Sequence, residues 1–258
     1  MLKGLYTAYT GMINEQHRMD TLTNNLANAS TVGFKKEGST SQSFDDILTV
    51  KIKDSSLGAN LTRRMGMNNP GVKIGENYTD FTQGSFRITG NTYDLALAGE
   101  GFFAIEFTNK AGETSTMYTR AGQFTLNTEG YLVTDDGDYV LDTQNRRIRL
   151  NPLQDAEIDS SGRIVQNGTA VATIQVADFE DYNYLEKYAE TYYQPVEGAR
   201  PTEGTAQIKS GYLEMANVQI VSEMVNLISI TRAYESNQKI IQTYDSSLEI
   251  AATQLGRV

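Results

Sequence analysis

Between Asn217 and Val258, apolar side chains recur at alternating steps of three and four residues: Ile220, Leu227, Ile230, Tyr234, Ile241, Tyr244, Leu248, Ala251 and Leu255. That spacing lines them along one seam of an α-helix, the heptad pattern by which a helix packs lengthwise on another. Glu223 and Asn237 interrupt the seam at single positions, a device that fixes register and partner at some cost in stability. A second apolar line, Val221, Val225 and Ile228, runs along the first half of the same helix. One partner helix covers the seam and leaves this second line open.

The opposite end of the chain repeats the pattern. Leu2, Leu5, Tyr9, Met12, Met19 and Leu26 occupy a heptad seam, with Gln16 and Thr23 as its polar members. Both termini are predicted to be amphipathic helices. Few residues between them have helical character, so the natural partners of the two seams are each other or further copies of the chain.

From Glu37 to about Asp80 the periodicity fails. Phe44, Ile47 and Leu48 predict a short helical turn, and Gly58, Gly66, Pro70, Gly71 and Gly75 then punctuate an extended connector. From residue 81 the period becomes two: Phe81, Phe86, Ile88, Leu95, Leu97, Phe103, Ile105 and Phe107 fall in short alternating runs separated by Gly84, Gly90, Gly99 and Gly101, as in half-buried strands. An internal repeat follows. Asn127–Val133 aligns with Asp159–Val165, and each copy is followed by a turn dipeptide, Asp136-Gly137 or Asn167-Gly168, before Val140 or Val171. Such dipeptides favour tight hairpins in which both central residues take positive φ, so two related meanders are expected, joined by a strand at Ile174–Phe179. The tyrosines at 182, 184, 188, 192 and 193 suit either a core edge or an intersubunit surface.

The predicted fold class is therefore α+β. Long N- and C-terminal helices (1–36 and 217–258) pair as a coiled-coil layer, a connector spans 37–80, and a central, mainly antiparallel β domain covers 81–216.

Composition narrows the functional classes. The 258 residues are 39% hydrophobic and carry 22 basic against 32 acidic side chains, a formal charge of −10. An acidic surface opposes binding to nucleic acid or to an anionic membrane. No apolar run reaches the roughly 18 residues of a membrane span, and the first ten residues lack the apolar core of a secretory signal. With no cysteine, thiolate chemistry and disulfides are ruled out.

Candidate chemistry is sparse. Gly99, Gly101 and Ala104 have the spacing of a dinucleotide fingerprint, but that motif must open a helix, and Phe103–Phe107 alternates like a strand. Ser236 and Lys239 have Ser-x-x-Lys spacing on a solvated helix face, without companion motifs. His17, the one histidine, lies beside the first seam with no nucleophile indicated nearby. Asp135, Asp136 and Asp138 surround Gly137 without the alternate-oxygen spacing of a calcium loop, as expected for a hairpin turn. No catalytic, cofactor or metal site is expected.

Several stretches resemble a known family. Asn24-Asn25-Leu26-Ala27-Asn28 followed by Gly33-Phe34-Lys35-Lys36, the Asn217-Val218 opening, Glu223-Met224-Val225-Asn226 and Arg232–Asn237 resemble the terminal signatures of bacterial flagellar axial proteins, the rod and hook family. Gly99–Phe103 and Tyr118–Phe124 resemble its central domain. The resemblance implies a structural, non-enzymatic subunit of the basal-body rod in the cell envelope. It would polymerise through its terminal helices into a helical drive shaft, after export by the flagellar type III apparatus without a cleaved signal. Copies of itself and other rod and hook subunits would be its partners. The assembly interface would comprise both seams, Asn24, Asn25 and Asn28, and Val221, Met224, Val225 and Ile228. A β body of this size leaves little room for the outer domain of hook proteins, which favours rod; length suits a distal rod protein and the Leu5–Ala8 opening a proximal one. The competing class is a secreted or cell-wall binding module or enzyme with a coiled-coil oligomerisation handle.

Overall fold

Leu2–Ala27 and Ile220–Leu255 form the helices α1 and α2, of 26 and 36 residues. The computed structural model describes residues 2–51, 63–110 and 112–255. The chain divides into two compact units: Met1–Leu26, Glu37–Thr79 and Ile220–Val258 make one, and Ala27–Lys36 with Asp80–Gln219 make the other.

In the first unit, α1 and α2 lie against each other. A side-chain carbon on Gly4 would strike the Tyr244 ring, one on Gly11 would lie 3.0 Å from the Asn237 amide, and the Thr231 hydroxyl stands 3.9 Å from the Met19 sulfur. Positions rise along α1 as they fall along α2, so the helices run antiparallel. Ala8 on α1 and Ile230 on α2 are each 5% exposed.

Within 37–79 the described residues form strands rather than the expected helical turn. Strand β1 (Glu37–Ser43) pairs antiparallel with β4 (Val72–Thr79), and β2 (Ile47–Lys51) with β3 (Arg63–Asn68). Ile47, Thr49 and Val50 are β-branched and favour the pleated conformation, which accounts for a strand in place of the helical turn that Ile47 and Leu48 predict. This ribbon lies on α1. Ser41 Oγ donates to Asn14 Oδ1 (3.0 Å), His17 Nε2 lies 3.0 Å from Asn77 Oδ1, and Gly71 packs on Thr7 and Thr10 so closely that a side chain would collide with Thr10. Gly58 of the expected connector lies outside the described residues.

The second unit is β. Its longest strand, Phe102–Thr108, pairs antiparallel with Thr114–Thr119, Tyr139–Val140 and Val176–Phe179 within a nine-stranded sheet. Leu95, Leu97, Phe103, Phe124, Leu132, Val140, Ile148, Ile164 and Ile174 form the main core. The Gly99-x-Gly101 segment thus leads into a strand, without the helix of a phosphate-binding turn.

The internal repeat appears as matching turns. Gly130 N–H donates to Asn127 O and Gly162 N–H to Asp159 O, and each glycine's carbonyl accepts from the far arm, from Leu150 N and Ile174 N respectively. Both glycines have positive φ. Asn167 and Gly168 have φ of 50° and 75°, as expected of the tight turn. At Asp136-Gly137 only the glycine takes positive φ, because Thr134 N–H bonds Asp138 O and closes a longer turn. The tyrosines divide: Tyr192 and Tyr193 are buried, whereas Tyr184 and Tyr188 are exposed.

Candidate assembly surface

The turn after α1 owes its course to Asn28 and Gly33. Thr31 donates its backbone N–H to Asn28 O (3.0 Å) and its hydroxyl to Asn28 Oδ1 (3.1 Å). Gly33, at φ 71°, abuts the Arg120–Ala121 backbone, where any side chain would collide. Its N–H reaches Glu214 O at 2.8 Å. The three stretches Gly33–Lys35, Tyr118–Phe124 and Leu213–Asn217 therefore converge in the β unit.

At their meeting point lies a buried ionic triad. Lys35 Nζ donates to Glu214 Oε1 (2.7 Å) and Thr82 O (2.8 Å), and Arg120 Nη1 to Glu214 Oε2 (3.2 Å). All three side chains are at most 3% exposed. Burial pulls the Lys35 ammonium below its ordinary range, and the Glu214 carboxylate opposes that shift. Two cations share one carboxylate, which also accepts from Gly84 N–H at 2.9 Å. The triad joins segments far apart in sequence.

Two asparagines work as double-ended ties. Asn25, fully buried, donates Nδ2–H to Glu37 O (2.7 Å) and accepts from Glu37 N–H (2.9 Å), fastening the end of α1 to the start of β1. Asn217 accepts from Lys36 N–H (2.7 Å) and donates to Asp80 O (2.7 Å) and to Thr82. An amide supplies donor and acceptor together, which a carboxylate cannot.

The helical unit has little core of its own. Among the described residues its buried apolar side chains are Ala8 and Ile230, whereas the β unit holds three buried clusters. On α2, Glu223, Leu227, Ile230, Tyr234, Asn237, Ile241 and Tyr244 form the sheltered stripe, and Val221 (76% exposed), Met224, Val225 (61%) and Ile228 form an open one. Ile240 and Ile250 extend the exposed apolar surface, as do Tyr6, Tyr9 and Ile13 on α1. Apolar surface in such quantity on a unit with so small a core makes this face a candidate interaction surface.

Three family models match stretches of this chain. The flagella basal body rod protein model matches residues 5–35, the flagellar hook protein FlgE/F/G D1 domain residues 96–176, and the flagellar basal body rod FlgEFG protein C-terminal residues 209–255. The flagellar basal-body rod protein FlgG of Bacillus subtilis (strain 168) is 33% identical over 276 residues, covering 96% of this chain and 97% of the relative. The chain belongs to the flagellar basal-body rod family. The flagellar basal-body rod protein FlgF of Caulobacter vibrioides is 33% identical, and the flagellar hook-basal body complex protein FlhO of Bacillus subtilis 30% identical, each over the full length of both chains.

Within this rod-family chain the sequence-predicted interface residues fall into groups. Leu5, Met12, Met19, Leu26, Leu227, Tyr234, Asn237, Ile241 and Tyr244 are half-buried and Ile230 is buried. Tyr9, expected in the α1 seam, is instead 51% exposed. Small residues take its place: Gly4, Ala8 and Gly11 form the face on which Tyr244 and Asn237 lie. Ile220 and Leu248 are also exposed. Asn24 is exposed, Asn28 half-buried and Asn25 turned inward to Glu37. The side chains of Leu2 and Leu255 lie outside the described residues. Sequence reasoning did not find the Lys35–Glu214–Arg120 triad or the ties of Asn217; the only signal was that Lys35, Arg120 and Asn217 lie in stretches resembling the family, and Glu214 carried none. Ser236 and Lys239 are exposed on α2, and His17 bonds Asn77.

Proposed function

We propose that the chain is a structural, non-enzymatic subunit of the flagellar basal-body rod whose terminal helices pair as a coiled coil and polymerise with those of neighbours into a helical shaft. One observation carries the mode of assembly: among the described residues, the helical unit buries only Ala8 and Ile230 of its apolar side chains and leaves Val221, Met224, Val225 and Ile228 open. Isolated helices and two-stranded ribbons are marginal in water. Burial against further copies supplies the stabilisation they lack, and binding to the ordered form draws the equilibrium toward it.

The full-length matches to rod proteins support placement in the flagellar basal body, with other rod and hook subunits as neighbours. A unit that gains most of its order on assembly also suits passage through a type III export conduit. Sedimentation and electron microscopy of the purified chain across concentration test the reading. Filaments or large helical oligomers are expected, and a chain lacking residues 220–258 should keep a folded β unit yet remain monomeric. A full chain that stops at a dimer, or a truncated one that still polymerises, refutes it in favour of a simple coiled-coil handle.

A further inference from the structure

Asn217 occupies a particular place in the path of the chain. The backbone passes between the two units at residues 26/27, 36/37, 79/80 and 219/220. The Asn217 side chain bonds to residues beside two of these passages and precedes a third by two residues: Oδ1 accepts Lys36 N–H at 2.7 Å, and Nδ2 donates to Asp80 O at 2.7 Å, Thr82 O at 3.2 Å and Thr82 Oγ1 at 3.0 Å. Asp80 N–H in turn donates to Lys36 O at 2.8 Å. These residues all belong to the β unit. The triad of Lys35, Glu214 and Arg120 anchors the same two segments, because Lys35 Nζ also reaches Thr82 O.

We propose that Asn217 is a positioning residue for assembly. It holds together, on the folded β unit, the segments from which the ribbon enters and leaves and from which α2 departs. The chemistry explains the residue type. The tie needs one acceptor for Lys36 N–H and donors for two backbone carbonyls, from a side chain short enough to sit between them, and asparagine supplies both. Aspartate keeps the acceptor but turns the donor end into an acceptor facing the Asp80 and Thr82 carbonyls. Alanine removes both ends. The functional consequence follows from the small core of the helical unit. Elements that cannot order themselves gain from having their exits fixed in advance, because less freedom remains to be lost when neighbouring subunits bind.

The inference rests on polymerisation by the helical unit, and its test separates the two. Asn217→Asp and Asn217→Ala are prepared in the full chain beside the wild type. For each, the critical concentration for polymerisation is measured by sedimentation, the β unit's unfolding by near-ultraviolet circular dichroism, and amide exchange at Lys36 and Asp80 in the monomer. Both variants should raise the critical concentration at least tenfold, with the β unit's unfolding nearly unchanged. Lys36 N–H should exchange faster in the alanine variant than in the aspartate variant, which retains its acceptor. A wild type that does not polymerise defeats the proposed function itself. Given wild-type polymerisation, variants that assemble at the same concentration overturn the inference. Loss of the β fold in both variants overturns it equally, since Asn217 would then serve the stability of that unit and not assembly.

Discussion

Removing the carboxylate of Glu214 should destabilise the β unit more than removing either cation it serves. Glu214 accepts from Lys35 Nζ, Arg120 Nη1 and Gly84 N–H, and its side chain is fully buried. Glu214→Ala therefore leaves two buried cations with no counter-charge, and breaking a buried pair in this way costs about 3–5 kcal/mol. Lys35, already held below its ordinary pKa by burial, relieves part of the cost by losing its proton; Arg120 has no such escape. Lys35→Met is milder. It leaves Arg120 paired with Glu214 and removes one donor from Glu214 and one from Thr82 O, a loss of about 1–3 kcal/mol. In a unit of roughly 150 residues each kcal/mol lowers Tm by about 2–4 °C, so the expected falls are about 6–20 °C for Glu214→Ala and about 2–12 °C for Lys35→Met. Thermal and urea unfolding of the two variants, followed through the tyrosine signal, makes the comparison. A Glu214→Ala chain within about 0.5 kcal/mol of wild type, the range of ordinary surface changes, or a costlier Lys35→Met, would refute this electrostatic coupling.

Two further expectations concern the helix contact and alkaline pH. Because a side chain on Gly4 would strike Tyr244, Gly4→Val should impair polymerisation and Tyr244→Ala should partly restore it; a double-mutant cycle should give a coupling of at least about 0.5 kcal/mol, and strictly additive effects would remove this contact from the account. Burial first, joined by Asp178 for Tyr182 and by Asp136 for Tyr192, raises the phenol pKa values of Tyr118, Tyr182 and Tyr192 above 10.0. The folded chain then keeps protons that the unfolded chain releases near pH 10, so their contribution to stability is complete below that pH and is lost as pH rises above it. Phenolate absorbance should show these three tyrosines ionising only as the β unit unfolds, and their titration at ordinary pKa in a folded chain would contradict it.

The parts of the fold legible in the sequence are those written in local periodicity. The sheltered stripe of α2 follows the three-and-four spacing through Leu227, Ile230, Tyr234, Ile241 and Tyr244, and the repeated glycine turns at 130 and 162 carry their own signal. At Tyr9 periodicity weighs a large apolar side chain, whereas the close contact with α2 uses the face of Gly4, Ala8 and Gly11, whose value is the space they leave. The ribbon of β1–β4 was legible only as extended chain, since its pairing partners lie far apart in sequence. Asn25 and Asn217 stood out as members of recurring motifs, but a motif gives no partner. The bonds that explain them, to Glu37, Lys36, Asp80 and Thr82, join distant segments and needed the folded structure. The triad is harder still, for nothing along the chain links residues 35, 120 and 214.

The proposed assembly turns on the open line of α2. Val225 is exposed in the single chain, and burying it between subunits would be worth about 1.5–3 kcal/mol, with a further penalty for a charge placed there. Val225→Asp should therefore raise the critical concentration for polymerisation by roughly ten- to a hundredfold, since each 1.4 kcal/mol is a factor of ten, with the β unit's unfolding transition unmoved. A Val225→Asp chain that polymerises at the wild-type concentration would show that this face is not buried in the shaft and would contradict assembly through it.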